Sequence, residues 1–133
     1  VGRLGVGALV LPDDAIVADT LGLANPIGAR ITVTNPGFPG HEKVLSWSWL
    51  LAEFEAPTGA PVGGATAREI AAARHALSCG ALAELLASTR EPMSFGRFWA
   101  NLTGAWARTR LVIPADPLKA EKKFCTRGLQ ARE

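Results

Sequence analysis

Ala15-Ile16-Val17-Ala18-Asp19-Thr20-Leu21-Gly22-Leu23-Ala24-Asn25-Pro26 is the stretch on which the reading of the fold turns. Four apolar residues run without alternation, and an aspartate and a glycine-bearing loop follow. A short continuous apolar run is how a strand buried in a parallel sheet reads. Asp19 then stands at its C-terminal end. Asn25 suits a helix N-cap and Pro26 the first helical position, which predicts a brief helix near residues 26–30. Strand, loop and helix in that order predict an α/β domain. The expected form is a small, mainly parallel or mixed sheet flanked by helices, with a helical second half. In such folds the loops after the strands carry the chemistry.

Working outward, residues 2–11 read as a short helix or a strand, and Pro12-Asp13-Asp14 as a turn. Thr34 to Gly40 is a loop with two prolines and two glycines, closed by His41-Glu42-Lys43. Trp47 to Phe54 reads as a second buried strand or a helical turn. In the strand reading, Trp47 and Trp49 share one face; it packs in the core or offers a stacking platform to a sugar ring. Residues 56–64 form a Pro/Gly linker.

The second half carries helix signals. Thr66-Ala67-Arg68-Glu69 is a capping box, in which Thr66 and Glu69 satisfy each other's free amides. Ile70, Ala73 and Leu77 follow at helical spacing, Gly80 interrupts, and Leu82, Leu85 and Leu86 continue. Glu91-Pro92 breaks the pattern, and Ser94 caps the next helix. Phe95, Phe98, Trp99, Leu102 and Trp106 form an i, i+3, i+4, i+7, i+11 stripe, expected to be a helix face buried in the core. Arg108 to Ile113 alternates basic and apolar at first, as a strand with one wet face would. Residues 114–133 read as a polar tail with turns.

At 133 residues, 48% hydrophobic and 20% charged, the chain is one domain of ordinary composition. A net charge of +2 is too small to argue for nucleic acid. Arg108, Arg110, Lys119, Lys122, Lys123 and Arg127 gather late, interrupted by Asp116 and Glu121. They read as a solvated face, with a surface toward anionic lipid or a phosphate-bearing substrate as the alternative. No apolar run approaches the roughly 18–20 residues that span a bilayer. No signal peptide is evident either. The first residues already read like the interior of a domain, so targeting or membrane-spanning parts are expected upstream.

Candidate chemistry is sparse. No G-x-S-x-G, Walker loop or G-x-G-x-x-G occurs. Two cysteines, Cys79 and Cys125, and two histidines, His41 and His75, make no tetrahedral zinc set. No metal or cofactor is expected. The cysteines are either two inert buried thiols or one disulfide. His41, with Glu42 and Lys43 beside it, has the donors and acceptors to bind a sugar hydroxyl or phosphate, or to cap its own loop. Asp19 is a ligand-binding carboxylate or an acceptor for the backbone amides of the turn after it.

Val17-Ala18-Asp19-Thr20-Leu21-Gly22-Leu23-Ala24-Asn25-Pro26, followed by Pro39-Gly40-His41-Glu42-Lys43, resembles the soluble C-terminal domain of actinobacterial GT-C-type membrane arabinofuranosyltransferases. His75-Ala76-Leu77-Ser78-Cys79, Phe95-Gly96-Arg97-Phe98 and Phe124-Cys125 with Gly128-Leu129 are similar to later segments of that family, in the same order; the closing Cys-Gly-Leu carries two inserted residues. The resemblance spans roughly residues 4–129. It implies an upstream multi-pass membrane part. It also implies transfer of arabinofuranose from a decaprenyl-phosphate carrier to cell-wall arabinan on the extracytoplasmic face. The family's catalytic carboxylate lies in that membrane part, so no residue of this chain inherits a catalytic role. By the same resemblance, the His41-Glu42-Lys43 loop becomes a substrate-facing candidate and Cys79–Cys125 a disulfide; Asp19 joins the substrate-facing candidates because it too follows the carboxyl end of a candidate strand. A free-standing carbohydrate-binding or structural cell-envelope module is the alternative.

Overall fold

A computed structural model describes residue 19 and residues 24–36, 42–54 and 63–126. Among these residues, five α-helices follow a short 3-10 turn, Gly28–Arg30: α1 (Trp47–Glu53), α2 (Ala67–Leu77), α3 (Gly80–Arg90), α4 (Phe95–Thr109) and α5 (Pro117–Cys125). Among the described residues there is no sheet. The only extended pairing among them is one parallel bridge between Ile31 and Ile113, with Ile113 N–H donating to Arg30 O and Thr32 N–H to Ile113 O, both at 2.9 Å. The expected α/β architecture is therefore wrong for this part of the chain, which is helical. The run 15–18 on which that expectation rested lies outside the described residues.

The errors have physical causes. Short apolar runs do not distinguish a buried strand from a buried helix. Trp47-Ser48-Trp49 imitates strand alternation, yet α1 turns its two indoles apart. Trp49 is 1% exposed and donates its indole N–H to Ala115 O at 3.0 Å, while Trp47 is 41% exposed. A shared Trp47–Trp49 sugar platform is thus absent. Trp47 instead lies over Gly63, where an added Cβ would fall 1.8 Å from its ring; Gly63 also holds φ +63°, which favours glycine.

At 108–113, α4 continues through Thr109 and only Ile113 pairs in extended form. The expected turns after residue 114 give way to α5. Its start is set by Asp116, whose Oδ1 accepts Leu118 N–H at 2.9 Å, with Pro117 at the first helical position.

Other local signals act as their chemistry dictates. Asn25 Oδ1 accepts the amides of Ile27 and Gly28 at 2.8 and 2.9 Å, opening the 3-10 turn. Thr66 and Glu69 form the full capping box of α2. Between α2 and α3 the chain bends by 74°. Gly80 makes this bend with φ +46°, a conformation L side chains rarely take. Ser94 Oγ caps α4 at Arg97 N–H, 3.1 Å.

α2 is central and packs against α1, α3 and α5. Its Ile70, Ala73, Ala76 and Leu77 meet Trp49, Leu50, Leu82, Leu85 and Ala120, while Ile27, Ile31 and Ile113 extend the same core. No single helix among the described residues is long and apolar enough to cross a membrane.

α4 departs most from expectation. None of its residues is buried. Phe95, Phe98, Trp99, Leu102 and Trp106, expected in the core, are all exposed. At 100° per residue these five fall within an arc of about 100°. Arg97, Asn101, Gly104 and Arg108 fall within an arc of about 60° on the opposite side. That polar stripe faces the domain. Arg97 and Arg108 both donate to Glu84 Oε1 on α3, at 2.9 and 3.1 Å, and Asn101 Nδ2 donates to Ser88 O at 3.1 Å. Arg30 Nε donates to Arg108 O at 2.7 Å, placing a cation at the negative end of the helix.

Candidate functional site

Of the four residues singled out as substrate-facing, three lie among the described residues; His41 does not. Asp19 is buried, and its Oδ2 accepts Ala24 N–H at 2.6 Å, so its carboxylate shapes the turn that leads to Asn25. Lys43 Nζ donates to Ala29 O at 2.6 Å. Glu42 contributes its backbone carbonyl, which accepts the amides of Thr34 and Asn35, both at 3.0 Å. Glu42 and Lys43 therefore fasten their segment along the 24–36 loop. Among the described residues there is no sheet that could give Asp19, Glu42 and Lys43 a common edge; these three bear on the 24–36 segment instead.

A second polar chain runs beneath that loop. Asn25 Nδ2 donates to Glu53 Oε2 at 2.6 Å, and Arg90 Nη2 pairs with Glu53 Oε1 at 2.5 Å. The Glu53 side chain is almost wholly buried. Such a carboxylate is tolerated only because both oxygens are paired. Asn25 in turn uses its other amide atom on the 3-10 turn. This network ties the loop, α1 and the end of α3 together, and its groups are occupied with one another.

Cys79 and Cys125 are joined, with Cα atoms 5.2 Å apart. The bond clamps the α2–α3 bend to the last residue of α5. His75 lies beside it, its Nδ1 2.7 Å from Glu121 Oε1. With the sulfurs bonded to each other, no thiolate is left for a metal, and this trio does not fit a metal centre.

A cavity of about 670 Å³ opens at the disulfide, lined by residues that include Gly80, Arg110, Leu111, Val112, Lys123 and Phe124. Its character is apolar walls with two cations. Arg110 stacks over the Trp106 ring at 3.8 Å, and Lys123 Nζ donates to Val112 O at 2.7 Å. Sequence reasoning named Arg110 and Lys123 only as members of a basic surface. The cavity brings them together because α4 ends where α5 passes. One signal was present: residues 92–115 contain no Asp or Glu, although Arg97, Arg108 and Arg110 fall within them.

A family model for the AftB family C-terminal domain matches residues 2–123. The terminal beta-(1->2)-arabinofuranosyltransferase of Corynebacterium glutamicum is 34% identical over 123 residues, covering 92% of this chain and 18% of that protein. The protein of the same description from Mycobacterium tuberculosis is 31% identical over 107 residues, covering 78% of this chain and 17% of that one. The chain thus spans under a fifth of the length of these curated relatives. No solved structure matches it. With the matched segment running across nearly all the described helices, the chain belongs to the AftB family as its C-terminal domain.

Proposed function

We propose that this domain is the extracytoplasmic C-terminal part of a membrane arabinofuranosyltransferase. That enzyme moves arabinofuranose from a decaprenyl-phosphate carrier onto cell-wall arabinan. The family match carries the reading. The disulfide supports the compartment, because such bonds persist in oxidising surroundings outside the cytoplasm.

The domain's role in this reading is to support donor or acceptor binding rather than to perform the chemistry. The buried carboxylates described here are engaged in structural bonds: Asp19 on a backbone amide, Glu53 on Asn25 and Arg90. The segment His41-Glu42-Lys43 is the polar element offered to sugar hydroxyls or carrier phosphate. Glu42 and Lys43 are fastened to the 24–36 loop, which lowers the ordering cost of binding for these two residues.

The test is a transfer assay with a decaprenyl-phosphate arabinofuranose donor and an arabinan acceptor. The full-length enzyme is expected to form product. The 133-residue chain alone is expected to form none, and an enzyme ending before this domain is expected to insert in the membrane and lose most transfer. Product from the chain alone, or undiminished transfer by the truncated enzyme, overturns the reading.

A further inference from the structure

The outward face of α4 is built for a surface other than water. Its five large apolar side chains cover one arc, with Phe95 80%, Leu102 57% and Trp106 68% exposed. Met93 and Val112, beyond the two ends of the helix, are exposed as well. The orientation is fixed from behind, because Arg97 and Arg108 hold the polar stripe on Glu84. Rolling α4 over to bury the aromatics would strip both guanidinium groups of that partner. A contiguous exposed apolar patch of this kind marks an interaction site.

Charge and composition select the occupant. From residue 92 to 115 there is no acidic side chain. Arg110 lies at the edge of the patch, stacked on Trp106, and Lys123 faces the same cavity. Lys119 and Lys122 are exposed on α5. Tryptophan and phenylalanine on one face with cations beside them suit the boundary between acyl chains and anionic headgroups. At 15 residues, about 22 Å, α4 is too short to span a bilayer and long enough to lie in its surface.

We propose that α4 is an in-plane membrane-docking helix. Its Phe95–Trp106 face enters the interface of an anionic phospholipid bilayer, and Arg110 with Lys123 meets a lipid phosphate at the mouth of the cavity beside the disulfide. This goes beyond the role in sugar transfer and stands independently of it.

The test is co-sedimentation of the 133-residue chain with vesicles of phosphatidylcholine and phosphatidylglycerol in equal parts, and with pure phosphatidylcholine vesicles. Strong binding to the first and at least tenfold weaker binding to the second is expected. The double variant Phe95→Ser/Trp106→Ser should weaken binding to anionic vesicles at least tenfold with its melting temperature unchanged. Arg110→Glu/Lys123→Glu should remove the preference for phosphatidylglycerol. Absence of binding by the wild-type chain overturns the proposal. So does binding that the serine variant leaves intact, or a wild-type dimer in solution that this variant converts to monomer, which would assign the face to a second copy. The assay contains no sugar donor, so its failure leaves the transfer reading standing.

Discussion

Arg97 and Arg108, eleven residues apart on α4, end on the same oxygen, Oε1 of Glu84, at 2.9 and 3.1 Å. Both guanidinium groups are largely covered, whereas Glu84 is 44% exposed, so solvent screens part of the attraction. Glu84→Ala should cost about 1 kcal/mol, at the upper end for such pairs, and should loosen α4 more than the rest of the fold. Thermal melting with limited proteolysis around residues 92–110 checks this. Unchanged protection of α4 would mean that the arginines do not hold it.

Trp49 and Trp106 should respond in opposite ways to truncation. Trp49→Ala removes a fully buried indole and its bond to Ala115 O, and should cost about 3–5 kcal/mol. Trp106→Ala trims an exposed ring and should stay within about 0.5 kcal/mol. Denaturant unfolding of both variants measures the contrast. A large loss at Trp106 would place it in a core.

Reduction of Cys79–Cys125 should destabilise the domain. The bond closes a loop with a sequence separation of 46. For that length the chain-entropy model gives about 4 kcal/mol as the scale of the effect. Melting with and without reductant, beside the Cys79→Ser/Cys125→Ser variant, reads it. Equal melting temperatures would show that the pair is not bonded in solution.

The capping box gives a pH dependence of known sign. Bonds from Thr66, backbone amide first and hydroxyl second, lower the Glu69 pKa below the ordinary glutamate value. The stabilisation from this lowered pKa is therefore present above the unfolded value, and is lost as pH falls through the folded one. The melting-temperature difference between wild type and Glu69→Gln should be constant near neutrality and shrink below about pH 4.5. A difference that ignores acid would remove Glu69 from the cap.

Much of the local structure was legible. Thr66, Glu69, Ser94 and Gly80 act through backbone groups a few residues away, so their spacing alone announces what they do. The sheet was misread because apolar runs such as 47–54 satisfy strand and helix patterns alike until tertiary packing decides. The aromatic stripe of α4 was read correctly as one face but assigned to the wrong side. An amphipathic pattern gives the faces of a helix and not which one turns inward. Here Glu84, on another helix and 13 residues from Arg97, decides it. Of the candidate site, Asp19 and Lys43 were legible as polar loop residues. Asp19 was also legible as an acceptor for the turn after it, where Ala24 N–H donates to it, whereas the Ala29 carbonyl that holds Lys43 was not, because backbone carbonyls leave no trace in side-chain patterns.

The most direct test of the functional account is transfer by the full-length enzyme carrying His41→Ala, measured with decaprenyl-phosphate arabinofuranose and an arabinan acceptor, alongside the melting temperature of the same variant in the 133-residue chain. The account predicts more than a tenfold fall in transfer, about 1.4 kcal/mol or more in the barrier, with melting unchanged. Transfer that falls only in proportion to lost stability, or does not fall, would contradict it and leave the His41-Glu42-Lys43 segment a structural loop.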